Sequence, residues 1–215
     1  SIEDIIAWNS TESLHSFFVK KASRCSAFIA TGDATEKGDI VMAHNTHCHF
    51  VTAQSFNIVL HVTPKEGSSF IMQTAAGLIS STTDWFICST GIMGSETTIT
   101  SVNYNPVFGS PYFCRIRQAM QYGKTLDDYV KIMKKDNAGD YACSWQFGDI
   151  HSGEIMLLEL GLREHSIQRT KNGVFYGMNS AMDFKLRSIE TTDKMHDDIE
   201  TSCGARNARP RPKPA

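Results

Sequence analysis

Short runs of alternating apolar and polar residues dominate the chain from residue 25 to residue 90. The runs CSAFIAT and DIVMAH are separated by GDATEKGD, a segment rich in the turn-forming residues Gly and Asp. FNIVLHVT and SSFIMQT follow with PKEG between them, and WFICST is a further apolar run. Period-two patterning of this kind predicts half-buried β-strands, the first four of them arranged as two hairpins.

A helical pattern interrupts the strands near the middle of the chain. In YFCRIRQAMQYG, Phe113, Ile116 and Met120 recur at the spacing of one helix face, after a Ser-Pro pair that predicts the helix start. The next segment, LDDYVKIMKK, begins after Thr125, which forms a capping-box pattern with Asp128. Two consecutive helices are therefore predicted, with their apolar faces in the core.

Strand-like runs return after the helices as CSWQFGD, EIMLLEL and GVFYGMN. Strands, a pair of helices and further strands predict an α+β domain in which helices cover a largely antiparallel sheet. Residues 1–24 are expected to form a preceding segment or propeptide remnant, and residues 25–200 the folded domain. Residues 201–215 are rich in Pro and Arg and are expected to form an exposed tail.

Composition and charge argue against several classes of partner. The chain has 215 residues, 41% of them apolar, and a formal net charge of -2. No chain-wide positive field exists to hold nucleic acid, so we expect no nucleic-acid partner. No apolar run approaches the roughly 20 residues that span a bilayer, so we expect no stable membrane span. We also expect no cofactor and no bound metal.

Cys25 opens the first predicted strand directly after the basic segment KKASR. A cysteine attacks a carbonyl as its thiolate, so it needs a neighbouring base or cation. Cleavage of the bond between Arg24 and Cys25 would leave an α-amino group, with an ordinary pKa near 8, on the residue that carries the thiol. One residue would then supply both nucleophile and base. The alternative is a buried cysteine that acts as a small apolar side chain.

Motifs along most of the chain resemble the phospholipase B-like family and related autoproteolytic cysteine hydrolases and acyltransferases, the group that includes isopenicillin N acyltransferase. The matching stretches cover roughly residues 24–209: RCSAFIATG, GDIVMAHNT, IMQTAAGLISSTTDWFICSTGIMGSETTI, RIRQAMQY, GDYACSW, GEIMLLELGL and GARNAR. The resemblance implies an N-terminal nucleophile (Ntn) hydrolase, an αββα four-layer sandwich whose catalytic domain is residues 25–200. Because family members continue through further strands where this chain has its proline-rich tail, a sandwich shortened at the C-terminus is expected.

The resemblance also implies which residues form the site. Cys25 would be the nucleophile, freed by self-cleavage, and its amine the base. His44 and Asn45 of AHNT would orient the amine or hold the substrate carbonyl oxygen. Thr97 or Thr98 of SETTI would form hydrogen bonds in the pocket.

Two further positions complete the set implied by the resemblance. Arg206 of GARNAR would position a substrate carboxylate or phosphate. Cys143 is a departure, because relatives have Tyr-Ala-Asn-Ser-Trp or Tyr-Ala-Asn-Thr-Trp where this chain has YACSW. A thiol would then replace an amide that donates into an oxyanion hole, which predicts a slow enzyme or a catalytically impaired binding protein of the same fold.

The run HNTHCHF offers an unrelated alternative, a small metal-binding domain. It places His44, His47, Cys48 and His49 within six positions. On a strand His47 and His49 face one way and Cys48 the other, and no second cluster supplies further ligands. A solvated strand end therefore explains the run better than a metal site.

The predicted function is an autoproteolytically activated hydrolase or acyltransferase of amide or ester bonds, with a small acyl compound or lipid as substrate. Asn9, Ser10 and Thr11 form a glycosylation sequon. Together with the lysosomal habit of animal phospholipase B-like proteins, the sequon favours a secretory, lysosomal-type or periplasmic location. The identity of the acyl group and the oligomeric state do not follow from the sequence.

Overall fold

Residues 1–18, 25–103, 107–192 and 196–208 are described by a computed structural model of the chain. The described helices are α1 (Ile2–Phe18), α2 (Phe50–Ala53), α3 (Tyr112–Tyr122), α4 (Leu126–Lys134), α5 (Phe184–Glu190) and α6 (Ser202–Ala208). The strands are β1 (Ser26–Gly32), β2 (Gly38–Asn45), β3 (Ile58–Val62), β4 (Phe70–Thr74), β5 (Trp85–Cys88), β6 (Ile92–Thr98), β7 (Cys143–Asp149), β8 (Glu154–Leu160), β9 (His165–Thr170) and β10 (Gly173–Gly177).

Two antiparallel sheets form the centre of the fold. Strands β3 to β9 lie side by side in chain order in a seven-stranded sheet, and β10, β1 and β2 form a three-stranded sheet with β1 in the middle. The three-stranded sheet packs on one face of the larger sheet, where Gly148 of β7 leaves room for Ile29 and Ile40. Helices α3 and α4 cover the other face. The layers fit the predicted αββα sandwich.

Strand β7 shows how alternation divides the side chains between the two layers. Cys143, Trp145 and Phe147 lie in the apolar core between the sheet and the helices. Gln146 points the other way and its amide donates to the carbonyl oxygen of Ala27, 3.4 Å away, in the three-stranded sheet. The same strand therefore contributes apolar packing to one layer and a polar contact to the other.

The two predicted helices are confirmed. Phe113, Ile116 and Met120 are buried on one face of α3. At the start of α4 the capping box is complete, because the hydroxyl of Thr125 accepts from the backbone N–H of Asp128 and the Asp128 carboxylate accepts from the backbone N–H of Thr125, both at 3.1 Å.

The start of α3 differs from the prediction in its cap. The cap residue is Pro111, which offers no side-chain hydrogen bond, and Ser110 precedes it. The carboxylate of Asp140 instead accepts from the backbone N–H of Tyr112 at 2.9 Å. A residue distant in the chain thus satisfies a helix-terminal donor that the local sequence was expected to satisfy.

Helix α1 packs against the domain through its polar side chains. The amide of buried Asn9 donates to the carbonyl oxygen of Gly77 and accepts from the backbone N–H of Ile79, at 2.9 and 2.8 Å. The Ser13 hydroxyl donates to Asp140 at 2.6 Å. Because the Asn9 amide is buried and hydrogen-bonded, the sequon is not accessible in the folded chain.

Helix α6 corrects the predicted start of the exposed tail. The prediction placed the tail at residues 201–215, but residues 202–208 form a helix in which Gly204 and Asn207 are buried. The proline-rich remainder, residues 209–215, and the basic segment before Cys25 lie outside the described residues. In the described part of the chain, no helix has both the length and the apolar character needed to cross a membrane. The six cysteines all lie in described residues, and no disulfide bond joins any two of them.

Candidate active site

Cys25 immediately precedes β1, and side chains from two other elements hold both of its backbone groups. Its N–H donates to Oδ1 of Asn179 at 2.7 Å. Its carbonyl oxygen accepts from the guanidinium of Arg206. Because Cys25 is buried, water does not compete for these two hydrogen bonds, and they fix the position of its backbone.

Asn179 is itself rigidly placed. It follows β10 with a φ of 64°, in the left-handed region that asparagine adopts more readily than most residues. Its side-chain NH₂ donates to the carbonyl oxygen of Thr98 at 2.9 Å, and its own carbonyl oxygen accepts from the backbone N–H and hydroxyl of Thr100 at 3.1 and 2.8 Å. The amide oxygen therefore faces Cys25 in one orientation only.

Arg206 reaches the site from α6. Both terminal nitrogens donate to Oδ1 of Asn179 at 3.1 Å, and one also donates to the hydroxyl of Ser26 at 3.1 Å. Its Nε donates to the carbonyl oxygen of Ser202 at 2.9 Å. The planar guanidinium thus links α6 to the start of β1 and to the end of β10.

The thiol of Cys25 faces a carboxylate and an imidazole. Sγ lies 3.9 Å from Oδ2 of Asp84, and Nε2 of His44 lies 3.7 Å from the same oxygen. The three side-chain atoms all lie within 4.8 Å of one another. Asp84 directly precedes β5 with a φ of 63°, and His44 comes from the inward face of β2.

His44 has a defined protonation state in this arrangement. Its Nε2 lies 2.8 Å from the carbonyl oxygen of Glu96, which can only accept, so the ring proton is on Nε2. Nδ1 lies 3.2 Å from the hydroxyl of Thr46. Burial lowers the pKa of His44 to about 4. Because the ring is neutral and its Nε2 is a donor, His44 does not serve as the base that deprotonates Cys25 in this arrangement.

The Cys25 thiol is held in its protonated form. Burial raises its pKa to about 12, with further contributions from the carboxylates of Asp84 and Glu96, against an opposing effect of the Arg206 guanidinium. While Cys25 remains joined to Arg24, the thiol is therefore not ionised near neutral pH. Conversion to a nucleophile needs an additional base close to the sulfur.

A cavity of about 490 Å³ lies next to the thiol. Its wall combines Cys25 and Asp84 with one side of α1 and with the segment that follows β2. None of the described lining residues is Lys or Arg. The apolar and aromatic part of the lining consists of Trp8, Phe56, Ala75, Leu78, Tyr112 and Tyr141.

Thr98 and Tyr141 extend the polar side of this cavity. The Tyr141 hydroxyl donates to the carboxylate of Glu96 at 3.0 Å and lies 2.7 Å from the Thr98 hydroxyl. All three residues are buried. They form a small hydrogen-bonded group behind Asp84, whose backbone carbonyl oxygen accepts from the N–H of Glu96 at 3.1 Å.

The structure brings some of the predicted site residues together with Cys25 and places others elsewhere. His44, Thr98 and Arg206 belong to the group around Cys25 and its cavity. Asn45 is exposed, because alternation along β2 turns it away from His44. Thr97 is fully buried, with its hydroxyl close to Gly177 of the three-stranded sheet.

Cys143 and the histidine-rich run also lie apart from the thiol. Cys143 is completely buried in the apolar core with Trp145. The position at which this chain differs from the family motif therefore lies in the core and not beside the Cys25 thiol. His47, Cys48 and His49 are exposed. Among the described residues, the group with the spacing of metal ligands is Cys25, His44 and Asp84 instead.

Two residues of the site, Asn179 and Asp84, were not identified from the sequence. Each is a polar residue at the end of a predicted strand, Asn179 after GVFYGM and Asp84 before WFIC. Each also has a left-handed backbone, which turns its side chain out of the alternation of the strand. The polar residue at a strand end is the signal that could have identified both.

Comparison with known proteins agrees with this fold. No family model matches the chain. A curated relative, an uncharacterized protein of Archaeoglobus fulgidus, is 25% identical over 136 residues, which are 63% of this chain and 21% of that protein. A solved structure of a mutant conjugated bile acid hydrolase from Clostridium perfringens superposes with a TM-score of 0.52 and 13% identity.

That superposition covers 74% of this chain and 54% of the bile acid hydrolase, so the chain spans about half the length of the solved structure. A second variant of the same hydrolase gives a TM-score of 0.39 at 10% identity over 77% of this chain and 48% of that one. The antiparallel sheets, the covering helices and the first of these superpositions together show that the chain has an αββα sandwich fold, which it shares with the bile acid hydrolase.

Proposed function

We propose that the chain is a cysteine hydrolase or acyltransferase of amide or ester bonds, of the phospholipase B-like or isopenicillin N acyltransferase type, which acts through Cys25 after cleavage of the Arg24–Cys25 bond. The observation that supports this proposal is the double clamp on Cys25. Asn179 accepts from its backbone nitrogen and Arg206 donates to its backbone oxygen, while the thiol faces a cavity.

An N-terminal nucleophile needs its α-amine to be held beside its own thiol, and the clamp meets that requirement. Once the bond to Arg24 is broken, the amine of Cys25 keeps one N–H directed at Asn179. The Arg206 guanidinium donates to the same amide oxygen, and its positive charge disfavours protonation of the amine. The guanidinium thus increases the neutral fraction of the amine, whose lone pair can accept the thiol proton.

The reaction then follows from these positions. The thiol transfers its proton to the α-amine, and the thiolate forms a bond to the substrate carbonyl carbon. The resulting ammonium gives the proton to the leaving nitrogen or oxygen as the amide or ester bond breaks, which leaves a thioester on Cys25. A water molecule, deprotonated by the amine, attacks the thioester, and the acid departs as the thiol is restored. An acceptor nucleophile in place of water gives acyl transfer.

Activation of the chain uses the same sulfur. In the uncleaved chain Sγ gives its proton to the carboxylate of Asp84, whose Oδ2 lies 3.9 Å away, and attacks the carbonyl carbon of Arg24. The proton then passes to the departing nitrogen as the peptide bond breaks, which releases the α-amine and leaves a thioester that water hydrolyses. Arg24 lies outside the described residues. The cavity beside the thiol combines apolar and aromatic lining with the Asp84 carboxylate, and none of its described lining residues is Lys or Arg, so it is suited to a neutral acyl group rather than to an anionic one.

Arg206 has a different role in this proposal from the one implied by the family resemblance. Its nitrogens are engaged with Cys25, Ser26, Asn179 and Ser202, so it acts as a positioning residue for the nucleophile and not as a receptor for a substrate carboxylate. His44 is likewise a positioning residue, which anchors the wall of the site through Glu96.

Intact-mass measurement on the expressed chain tests the proposal. We expect two fragments, separated between residues 24 and 25, from the wild type and a single uncut chain from Cys25→Ala. The matched control is Cys114→Ala, which removes a thiol from α3 and should be cleaved like the wild type. A wild-type chain that stays intact at every pH, or equal cleavage of Cys25→Ala, would contradict the proposal.

Turnover is tested on the cleaved protein. A series of p-nitrophenyl acyl esters and N-acyl amides of increasing chain length should give a Cys25-bound acyl adduct on acid quenching. The mass of that adduct should match the acyl group and disappear on treatment with hydroxylamine, which cleaves thioesters. Product release without any adduct at Cys25 would contradict the nucleophile assignment.

A further inference from the structure

We propose that Cys25, His44 and Asp84 form a binding site for one divalent transition-metal ion, for which Zn²⁺ is the best match, and that the bound ion silences the nucleophile. The binding site is independent of the proposed function, whereas the silencing rests on it. The three residues come from three separate elements, so the site exists only in the folded chain.

The ligand atoms have nearly the separation that a tetrahedral zinc site requires. Zinc bonds of about 2.0 to 2.3 Å to sulfur, nitrogen and oxygen place neighbouring ligand atoms about 3.2 to 3.7 Å apart. Oδ2 of Asp84 lies 3.9 Å from Sγ of Cys25 and 3.7 Å from Nε2 of His44. Small side-chain rotations bring all three atoms to one ion. A thiolate, an imidazole and a carboxylate form a donor set that zinc accepts.

His44 has a second partner ready for the metal-bound state. Coordination through Nε2 moves the ring proton to Nδ1, which then donates to the Thr46 hydroxyl 3.2 Å away. The Thr46 hydroxyl in turn donates its own hydrogen to the carbonyl oxygen of Thr83, 3.3 Å away. A metal-bound histidine normally has such an outer partner. Metal coordination through Nε2 breaks the hydrogen bond that His44 donates to the carbonyl oxygen of Glu96.

The charges and the access route also suit a cation. The thiolate and the Asp84 carboxylate together balance the two positive charges of the ion. Of the nearby charged groups, the Glu96 carboxylate adds attraction and the Arg206 guanidinium opposes it, but Arg206 is directed at the Cys25 carbonyl oxygen and not at the sulfur. Cys25 and Asp84 both line the cavity of about 490 Å³, so an ion can enter and keep a fourth coordination position open.

Binding and silencing follow from one step. Zn²⁺ displaces the thiol proton, which leaves to solvent, and a sulfur lone pair forms the metal bond. No oxidation or reduction takes place. That sulfur can then no longer attack a carbonyl carbon, and the ion occupies the space beside it. Zinc is therefore expected to block both self-cleavage and turnover, and a chelator to restore them.

Metal binding can be measured without any activity assay. Equilibrium dialysis of the purified chain against Zn²⁺ should give one ion per chain, and Co²⁺ should give the near-ultraviolet band of a thiolate-to-cobalt charge transfer. Cys25→Ser should remove the band, and Asp84→Asn should weaken zinc binding by about tenfold or more, since even outer partners of a metal site contribute that much. The matched control replaces His47, Cys48 and His49 together by Ala and should keep both signals.

The outcomes separate the metal site from the proposed function. Absence of stoichiometric zinc, or loss of zinc only in the His47, Cys48 and His49 variant, overturns the site. Zinc binding that depends on Cys25 and Asp84 supports the site even where no cleavage at residue 25 occurs in a chelating buffer, a result that would count against the function alone. If a variant does not fold, the rate of Cys25 labelling by iodoacetamide in the wild type, compared between zinc and a chelating buffer over a long time course by peptide mapping, gives the same decision: slower labelling in zinc supports the site, and equal rates overturn it.

Discussion

Asn179 accepts a hydrogen bond from the backbone nitrogen of Cys25 at 2.7 Å, although 154 positions separate the two residues. This contact joins the end of the last strand of the three-stranded sheet to the start of its middle strand. It places an amide oxygen at the atom that becomes the α-amine after cleavage. The predictions below begin from this contact and from the groups around it.

Removal of the Asn179 side chain should slow self-cleavage strongly. In Asn179→Gly the left-handed backbone remains accessible, so the main change is loss of the acceptor for Cys25 and for Arg206. A misplacement of the nucleophile by about 1 Å costs about 10²-fold in rate, and we expect a loss of that order. The measurement is the time course of cleavage by intact mass.

The matched control for this variant is Asn172→Ala, which removes an exposed asparagine side chain in the turn before β10. It should be cleaved at the wild-type rate. Equal rates for Asn179→Gly and the wild type would show that the contact does not position the nucleophile.

Two variants of Arg206 should separate the effect of its hydrogen bonds from the effect of its positive charge. Arg206→Lys keeps the positive charge but cannot reproduce the fork that reaches Cys25, Ser26 and Asn179, so cleavage should slow. Arg206→Gln also removes the charge. Because a nearby cation disfavours the ammonium form, its loss should raise the pKa of the α-amine by about one unit.

The readout for this pair is the pH profile of kcat/KM for the cleaved enzyme. Its acid limb should move to higher pH in Arg206→Gln and stay in place in Arg206→Lys. An unchanged limb in both variants would mean that the Cys25 amine is not the base.

The thiol of Cys25 should react slowly until the chain is cleaved. In the uncleaved chain its pKa is raised to about 12, first by burial and then by Asp84 and Glu96. The thiolate fraction is therefore small at pH 8 and increases only as the pH approaches that value. Alkylation by iodoacetamide should follow this trend, while the exposed Cys48 reacts readily and serves as an internal control.

After cleavage the α-amine can accept the thiol proton, so Cys25 should react much faster at the same pH. Mass separates the cleaved and uncleaved species in one labelling reaction. Rapid labelling of Cys25 in the uncleaved species near pH 7 would contradict the assigned protonation state.

Replacement of Cys143 by Asn should destabilise the chain and leave turnover without gain. Cys143 is completely buried in the packed core, and the side chain of Asn is larger than that of Cys, so neighbouring side chains would have to shift to accommodate it. Overpacking of a core in this way costs about 1 to 3 kcal/mol. Urea denaturation measures the change in the free energy of unfolding, with Cys143→Ala as the apolar control. A gain in turnover would instead restore the oxyanion-hole interpretation of this position.

The local pattern of residues was sufficient for much of the fold. Period-two runs predicted the hairpins, and helix spacing with the Thr125 capping box predicted α3 and α4, because alternation and caps depend on near neighbours in the chain. Strand β6 was not predicted, because the sequence GIMGSETT is rich in Gly and Thr and lacks the alternation that marks a strand. Gly94 is needed there because neighbouring side chains pack closely against the backbone. A Cβ on Gly94 would clash with the ring of Phe86, and only the folded sheet brings these two residues together.

The sequence predicted those residues of the candidate site whose side-chain chemistry or family motif identifies them individually. Cys25 was identifiable from its position before a strand and from family motifs, and His44 and Arg206 from those motifs. The partners of these residues were decided by tertiary structure. Asn179 and Asp84 meet Cys25 only because three separate segments fold to one place, and Cys143 left the candidate site because β7 turns it into the core. A sequence specifies which groups are present and how neighbours alternate, whereas distances between remote side chains arise only when sheets and helices pack.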